Sequence, residues 1–411
     1  MRKGGIVLMK GSRPALLDGL VSYLRRLDKP ILILVTALSA CGMVAISSAV
    51  IADSSKARCI PMQLIGILGG FVIMFIVARI DYEFICKFYI PITIVSSALL
   101  LVTAIFADSQ GGNYNWLTFG SVNIQTSEFT KTAFVVSIST HISKIEDKIN
   151  KPVHVLLLGV HFLMYFVPVL LQHDLGSAII YAIVFVFILY AAGLKYRYFI
   201  IAAAATAAAA PIIWQYLRVD QKKRIIYGFQ PELDPLNYGY QPIISKRALG
   251  SGQMYGLGFG NGIQTQNALL PANHTDFVFA IIGEEFGFVG CVIVLALLVA
   301  LVVFILLNVT KIRNTCGRLI CVGVAGILIS QTLINIGMVL GLAPVIGVTL
   351  PFVSYGGSSV MSLFFAIGMV QSVREKELTD NSLRFGGKAK RINPVNINFS
   401  NIAKNREKNS T

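Results

Sequence analysis

The groups able to do chemistry in this chain are charges set where hydrocarbon is expected. Residues 272–290, ANHTDFVFAIIGEEFGFVG, place His274 and Asp276 at the head of an apolar run that also holds Glu284 and Glu285. A carboxylate at the centre of a spanning helix costs about 3 kcal/mol on insertion scales, so each of these needs water, a partner or a chemical task. Helical rise puts the Glu pair about 12 Å deeper than Asp276. Asp276, at the water boundary, can exchange a proton with an outside substrate. The Glu pair reads as polar contacts to neighbouring helices, with a proton or ion path as the other use of such groups.

Three further segments carry reactive or irregular residues. In GGNYNWLTFGSVNIQTSEFTK (111–131), Glu128 and Lys131 are three apart, share a helical face and can pair, which serves a structural ion pair as well as a ligand site. Asp174 in QHDLG opens a helix, where an acidic residue favours the dipole. The stretch 335–359, NIGMVLGLAPVIGVTLPFVSYGGSS, includes Asn335, Pro344, Pro351, Ser354 and Tyr355. Backbone so dense in Pro and Gly is tolerated at membrane depth only where it is buried or lines a cavity.

The elements that position these groups follow from composition. With 55% hydrophobic and 13% charged residues and a mean hydropathy of +0.70, the chain reads as an all-α, polytopic integral membrane protein. Spans are expected at about 30–52, 60–80, 84–107, 126–143, 153–172, 175–194, 197–217, 275–308, 318–341 and 355–373, about ten helices. The eighth is longer than one crossing requires and should tilt or project. Short loops on one side collect Lys and Arg, among them Arg79, Lys87, Lys144, Lys148, Lys195, Lys311 and Arg313. Those on the other hold only Lys56 and Arg58. This asymmetry sets an N-in, C-in topology and accounts for most of the net charge of +15 without nucleic acid.

Residues 1–29 are too polar for a cleaved signal and read as a cytoplasmic segment. Residues 30–373 form one transmembrane domain, and 374–411 a basic, disordered cytoplasmic tail. The six Cys and five His show neither a disulfide framework nor zinc spacing. The long outer loop, 218–273 between helices 7 and 8, is functional by its length. Its Arg218, Lys222, Lys223, Arg224, Lys246 and Arg247 outnumber Asp220, Glu232 and Asp234, suggesting an anionic ligand. The glycine series from Gly250 to Gly262 lacks the context of a nucleotide loop, but could offer backbone N–H groups to a phosphate from a membrane-hugging segment.

These segments together resemble a known family. QTSEFTK (125–131), QHDLGSA (172–178), YGYQPIISKRALGSGQMYGLGFGNGIQTQ (238–266), LPANHTDFVFAIIGEEFG (270–287) and GVTLPFVSYGGSS (347–359) are similar to the signature blocks of the SEDS family, the RodA, FtsW and SpoVE proteins. The resemblance implies a peptidoglycan glycosyltransferase of the bacterial cytoplasmic (inner) membrane. Such an enzyme polymerises lipid II at the outer face with a class B penicillin-binding protein, within the elongasome or divisome. By the same resemblance Asp276 is the essential carboxylate. Glu128, Lys131, Trp116 and Arg224 match the family's supporting residues, with His274, Lys246, Arg247, Ser354 and Tyr355 as further candidates around the substrate. Gln264-Thr265-Gln266 leans to the RodA type and GVTLPF to FtsW and SpoVE; RodA is slightly favoured.

Asn115, Thr126, His173 and Ile244 depart from the family pattern. Asn115 stands where an Arg usually precedes the Trp, and its loss would weaken a phosphate contact. The chemistry fits the residues. A sugar hydroxyl must lose its proton to attack an anomeric carbon, a task for the Asp276 carboxylate as general base, and partial burial would raise its pKa toward the useful range. Lys131, Arg224, Lys246, Arg247 or a divalent cation, Mg2+ or Mn2+ held partly by substrate pyrophosphate, would neutralise the leaving group. A lipid II flippase or transporter, and a non-catalytic scaffold for a transpeptidase, are the alternative readings.

Overall fold

The computed structural model describes residues 26–107, 114–119 and 122–384. The segment before residue 26, the glycines at 111 and 112, and the tail from 385 lie outside the described residues. Helices cover each of the ten stretches expected to span: α1 Lys29–Ala52, α2 Cys59–Arg79, α3 Tyr82–Lys87 with α4 Tyr89–Phe106, α5 Thr126–Lys144, α6 Pro152–Leu171, α7 Leu175–Ala191 and α8 Tyr196–Tyr216. After the long outer loop come α12 Val278–Val309, α13 Thr315–Val339 and α14 Gly357–Arg384. Seven of them, α1, α2, α4, α6, α8, α12 and α13, are long and apolar enough to cross a membrane by length and composition. The chain is therefore a multi-pass membrane protein.

Helix α5 is polar for a spanning element, yet it sits at the centre of the bundle, where Thr126, Ser127, Glu128, Thr130, Lys131 and Thr132 are all buried. Ser127 donates to Asp174, Thr130 to the Thr126 carbonyl, and Lys131 to Glu128, and such pairing is how polar residues are tolerated at membrane depth. Phe134 of α5 packs against Tyr165 of α6 and Tyr181 of α7, with ring centroids 5.2 and 5.3 Å apart. Helix α14 packs along α2, and α12 lies against α1 and α13. By contrast α8 buries no residue at all.

Four expectations change. The third stretch is two helices, because Asp81 caps α3 through the Glu83 N–H and the chain turns at Phe88. The eighth does not simply tilt: its helical geometry is interrupted at Gly287 (φ 66, ψ −162). Helix α14 continues past residue 373 to Arg384, so the expected disordered tail begins as helix. Its first turns are held by ion pairs of Arg374 with Asp28 and of Lys376 with Asp81. Finally, the all-α architecture carries one antiparallel hairpin, β1 Trp116–Phe119 and β2 Val122–Gln125, with Trp116 opposite Gln125.

The long outer loop is organised into α9 Val219–Phe229, a 3₁₀ turn Pro231–Leu233, α10 Tyr240–Ser251 and α11 Ile263–Gln266. Interrupting α12 at Gly287 frees backbone groups that lipid cannot satisfy. The glycine segment satisfies them: Leu257 and Gly258 donate their N–H groups to the Glu284 and Glu285 carbonyls, both at 3.0 Å, while the Phe288 and Val289 N–H groups donate to the Gln253 and Met254 carbonyls at 2.8 and 3.1 Å. Gly256 and Gly258 take φ of +83 and +94, a region costly for residues with a Cβ. The amides of Leu257 and Gly258 are thus committed to the broken helix.

Candidate active site

The turn from Ala272 to Phe277 brings Asp276 to the N-terminal end of α12. Its backbone closes on the Ala272 carbonyl, which accepts from the Thr275 and Phe277 N–H groups at 3.3 and 3.2 Å. Phe277 is fully buried and anchors the turn. Asn335 of α13 then fastens it, its Nδ2 donating to the carbonyls of Asp276 and Val348, each at 2.7 Å. One buried amide therefore joins the acidic turn to the irregular loop that follows α13. That loop passes close to the carboxylate at Gly347, whose φ is +72.

Asp276 lines a cavity of about 660 Å³. Helix α9 supplies Lys223 and Arg224 to it, the segment after the 3₁₀ turn supplies Asp234, Asn237, Tyr238 and Gln241, and Val345 and Gly347 close the side toward α13. Asp276 is half-buried, enclosed by protein with one edge on the cavity. Burial raises its pKa to about 6, against the opposing influence of the Arg224 guanidinium and a hydrogen bond from Thr275. A carboxylate so placed is ionised at neutral pH yet basic enough to accept a proton. Asp234 is ordered by Asn237 Nδ2 at 3.0 Å, and Tyr238 donates its hydroxyl to Asp220 at 2.7 Å.

A second polar group lies beside the cavity without lining it. Lys131 Nζ donates to Glu128 Oε1 at 2.7 Å, and both side chains are almost wholly buried. Ser359 donates to Glu128 Oε2 at 3.3 Å and lies 3.1 Å from Thr349 Oγ1. Thr349 follows Val348, whose carbonyl Asn335 holds, so the ion pair braces the loop that bounds the Asp276 cavity.

Comparison with known proteins agrees with this architecture. Residues 29–378 match the family model for FtsW, RodA and SpoVE, described as cell cycle protein. The chain belongs to the FtsW/RodA/SpoVE family. It is 38% identical over 311 residues to the peptidoglycan glycosyltransferase MrdB of Escherichia coli (strain K12), covering 74% of this chain and 82% of that one. It is 33% identical over 360 residues to a probable peptidoglycan glycosyltransferase FtsW of Trichlorobacter lovleyi, covering 84% and 92%. A structure described as coordinating polymerization and crosslinking by a peptidoglycan synthase complex superposes with a TM-score of 0.74 at 26% identity, over 85% of this chain and 98% of that one. The crystal structure of Thermus thermophilus RodA shares the fold, with a TM-score of 0.65 at 24% identity over 85% and 97%.

The residues singled out by family resemblance separate into groups. Asp276 and Arg224 share the cavity. Glu128 and Lys131 form the brace. Trp116 is half-buried in the hairpin, away from the cavity lining. Its neighbour Asn115 is buried and donates Nδ2 to Asp174 Oδ2 at 2.8 Å. Asp174 also accepts from Gln125, Ser127 and Ser177, and caps α7 through the Ser177 N–H at 2.9 Å. Position 115 thus faces a carboxylate, and Asn115 ties the hairpin to α7.

Lys246 and Arg247 are exposed on α10 and outside the cavity lining, Lys246 lying along Gly341. Ser354 is buried, accepting the Leu350 N–H at 2.8 Å. His274 and Tyr355 sit together, ring centroids 5.4 Å apart, with the Tyr355 N–H donating to the His274 carbonyl. Lys223, Asp234, Asn237, Tyr238 and Gln241 were not singled out as site residues from the sequence. Lys223 adjoins Arg224 and was open to inference, whereas the others depend on how 231–241 folds back.

Glu284 and Glu285 have the structural role expected of them. Glu284 accepts from the Gln264 and Thr265 N–H groups and the Thr265 hydroxyl, at 2.6, 3.0 and 2.7 Å. Glu285 accepts from Ser48 of α1 and from Gln266.

Proposed function

We infer that this protein is a peptidoglycan glycosyltransferase that polymerises lipid II at the outer face of the bacterial cytoplasmic membrane. The observation that carries this is a single cavity uniting a half-buried carboxylate, Asp276, with the cationic pair Lys223 and Arg224. The acceptor hydroxyl gives its proton to Asp276 as its oxygen bonds to the anomeric carbon of the donor. The bond from that carbon to the pyrophosphate oxygen breaks, with the electron pair leaving on the phosphate, as in an inverting displacement. Lys223 and Arg224 meet the charge that grows there. Membership of the family and the named relatives support the same reading.

The described residues hold no cluster of three or more His, Cys, Asp or Glu able to cage a metal. The oxygen donors of Asp234 and Asp276 nevertheless suit a hard cation such as Mg2+ or Mn2+, which the substrate pyrophosphate would hold with them. Such an ion would supply further charge neutralisation. The partner is proposed to be a class B penicillin-binding protein, whose transpeptidation consumes the strands made here. The resemblance of Gln264-Thr265-Gln266 to the RodA type favours a role in elongation over division.

Purified protein with its partner transpeptidase, lipid II and divalent cation should yield glycan strands, resolved on gels, and Asp276→Asn should cut their yield by at least about 10²-fold. Undiminished strands from Asp276→Asn would sink the general-base role. A flippase would instead scramble lipid II between liposome leaflets in dependence on these residues.

A further inference from the structure

Lys56 and Arg58, the only basic residues in the short outer loops, serve no topological purpose on that side. Lys56 ends a 3₁₀ turn, Ser54–Lys56, at the outer end of α1. Its ammonium donates to Asn273 Oδ1 at 3.2 Å and lies 3.6 Å from Asp53 Oδ2. Asn273 belongs to the turn that presents Asp276, is fully buried, and keeps Nδ2 without a partner. His274, next in the turn, has Nδ1 3.3 Å from Asn273 Oδ1 and its ring against Tyr355. Burial lowers the His274 pKa to about 4, helped by the nearby Lys56 charge, so it is a neutral hydrogen-bonding group at pH 7. Asp53 offsets one positive charge, and the half-buried Lys56 with the exposed Arg58 leaves the patch net positive.

None of these residues lines the cavity that holds Lys223 and Arg224. Asn273, three residues from Asp276, therefore meets a second cationic group, Lys56, on an element other than α9. The reaction gives such a patch a purpose. The donor's pyrophosphate hangs on the reacting carbon and so must lie in the cavity with Asp276. The acceptor also bears a pyrophosphate, but two sugar rings separate it from its reacting hydroxyl, and it is not released. Its charge has to be met at a different place.

We propose that Lys56, with Arg58, Asn273, His274 and Tyr355 around it, forms the subsite for the pyrophosphate of the acceptor, a polyprenyl-pyrophosphate-linked sugar. This rests on the polymerase reading above. Lys56 is the charge that holds the acceptor, and Asn273 couples its position to the turn bearing Asp276. Donor binding depends on Lys223 and Arg224 instead.

The test separates the two substrates. Lipid II epimerised at the acceptor hydroxyl acts as donor only, and lipid II with a methylene in place of the anomeric oxygen, which cannot lose its pyrophosphate, acts as acceptor only; each is varied with the other saturating. In purified protein with its partner, Lys56→Met should raise the acceptor KM about tenfold, the size of one lost charge-assisted contact, with donor KM and kcat within about twofold. Lys56→Arg, which keeps the charge, should restore most of the loss, whereas Lys56→Gln, which keeps a donor for Asn273 without the charge, should not; rescue by Gln would mark a purely structural contact. An unchanged acceptor KM, or equal rises in both KM values with a lowered Tm, overturns the subsite. Failure of the unaltered protein to form any glycan would instead overturn the polymerase reading, a result distinguishable from either.

Discussion

Asp276 and the pair Glu284–Glu285 lie in one short stretch of chain, yet their surroundings differ in the way that divides a reactive carboxylate from a structural one. Both glutamates are buried to 1% exposure or less and accept hydrogen bonds from protein groups. Asp276 keeps an edge on a cavity and faces Lys223 and Arg224, with its own carbonyl held by Asn335. Acidity alone does not mark a site; a carboxylate left with access to substrate does. The Glu284 carboxylate instead fastens α11 to the interrupted helix, and that of Glu285 fastens α1 to it.

Substitutions should widen this contrast. The largest effect is expected from Asp276→Asn, which removes the base while keeping the shape: polymerisation should fall 10²- to 10⁴-fold with Tm unchanged within a few degrees. Lys131→Met leaves Glu128 buried without its partner and should destabilise the fold by about 3–5 kcal/mol, read as thermal unfolding in detergent. Glu284→Ala strips an acceptor from two backbone N–H groups and a hydroxyl, and a loss on the order of 3 kcal/mol is expected. Residual Glu284→Ala protein that stays folded should keep its pH profile, since the glutamate does not touch the cavity. At the small end, Lys246→Ala on the exposed face of α10 should change rate and stability by less than about twofold. A tenfold loss there would mean that the cationic face extends beyond the cavity.

Much of this arrangement was legible beforehand. The spacing of Glu128 and Lys131 marks their ion pair, because that signal is local. The hydropathy of 275–308 could not reveal the interruption at Gly287, since its amide partners come from 253–258. Lys246 and Arg247 count toward the loop's charge as fully as Arg224 does. Only the register of α10, which buries Ser245 and Ala248, turns them outward. The partner of Asn115 was out of reach for a similar reason: Asp174 lies 59 residues away in sequence. Asp234 and Tyr238 join the site by tertiary folding alone.

The central claim is that Asp276 acts as a base in the Lys223–Arg224 cavity, and the pH dependence of polymerisation addresses it directly. Asp276 must be ionised to take a proton, and burial raises its pKa to about 6. The rate of the unaltered protein should therefore be level at higher pH and fall about tenfold per unit as pH drops below about 6. Arg224 opposes that rise, so Arg224→Gln should move the inflection to higher pH as well as slow the reaction. An inflection near the ordinary carboxylate value, or one that Arg224→Gln leaves in place, would contradict the account.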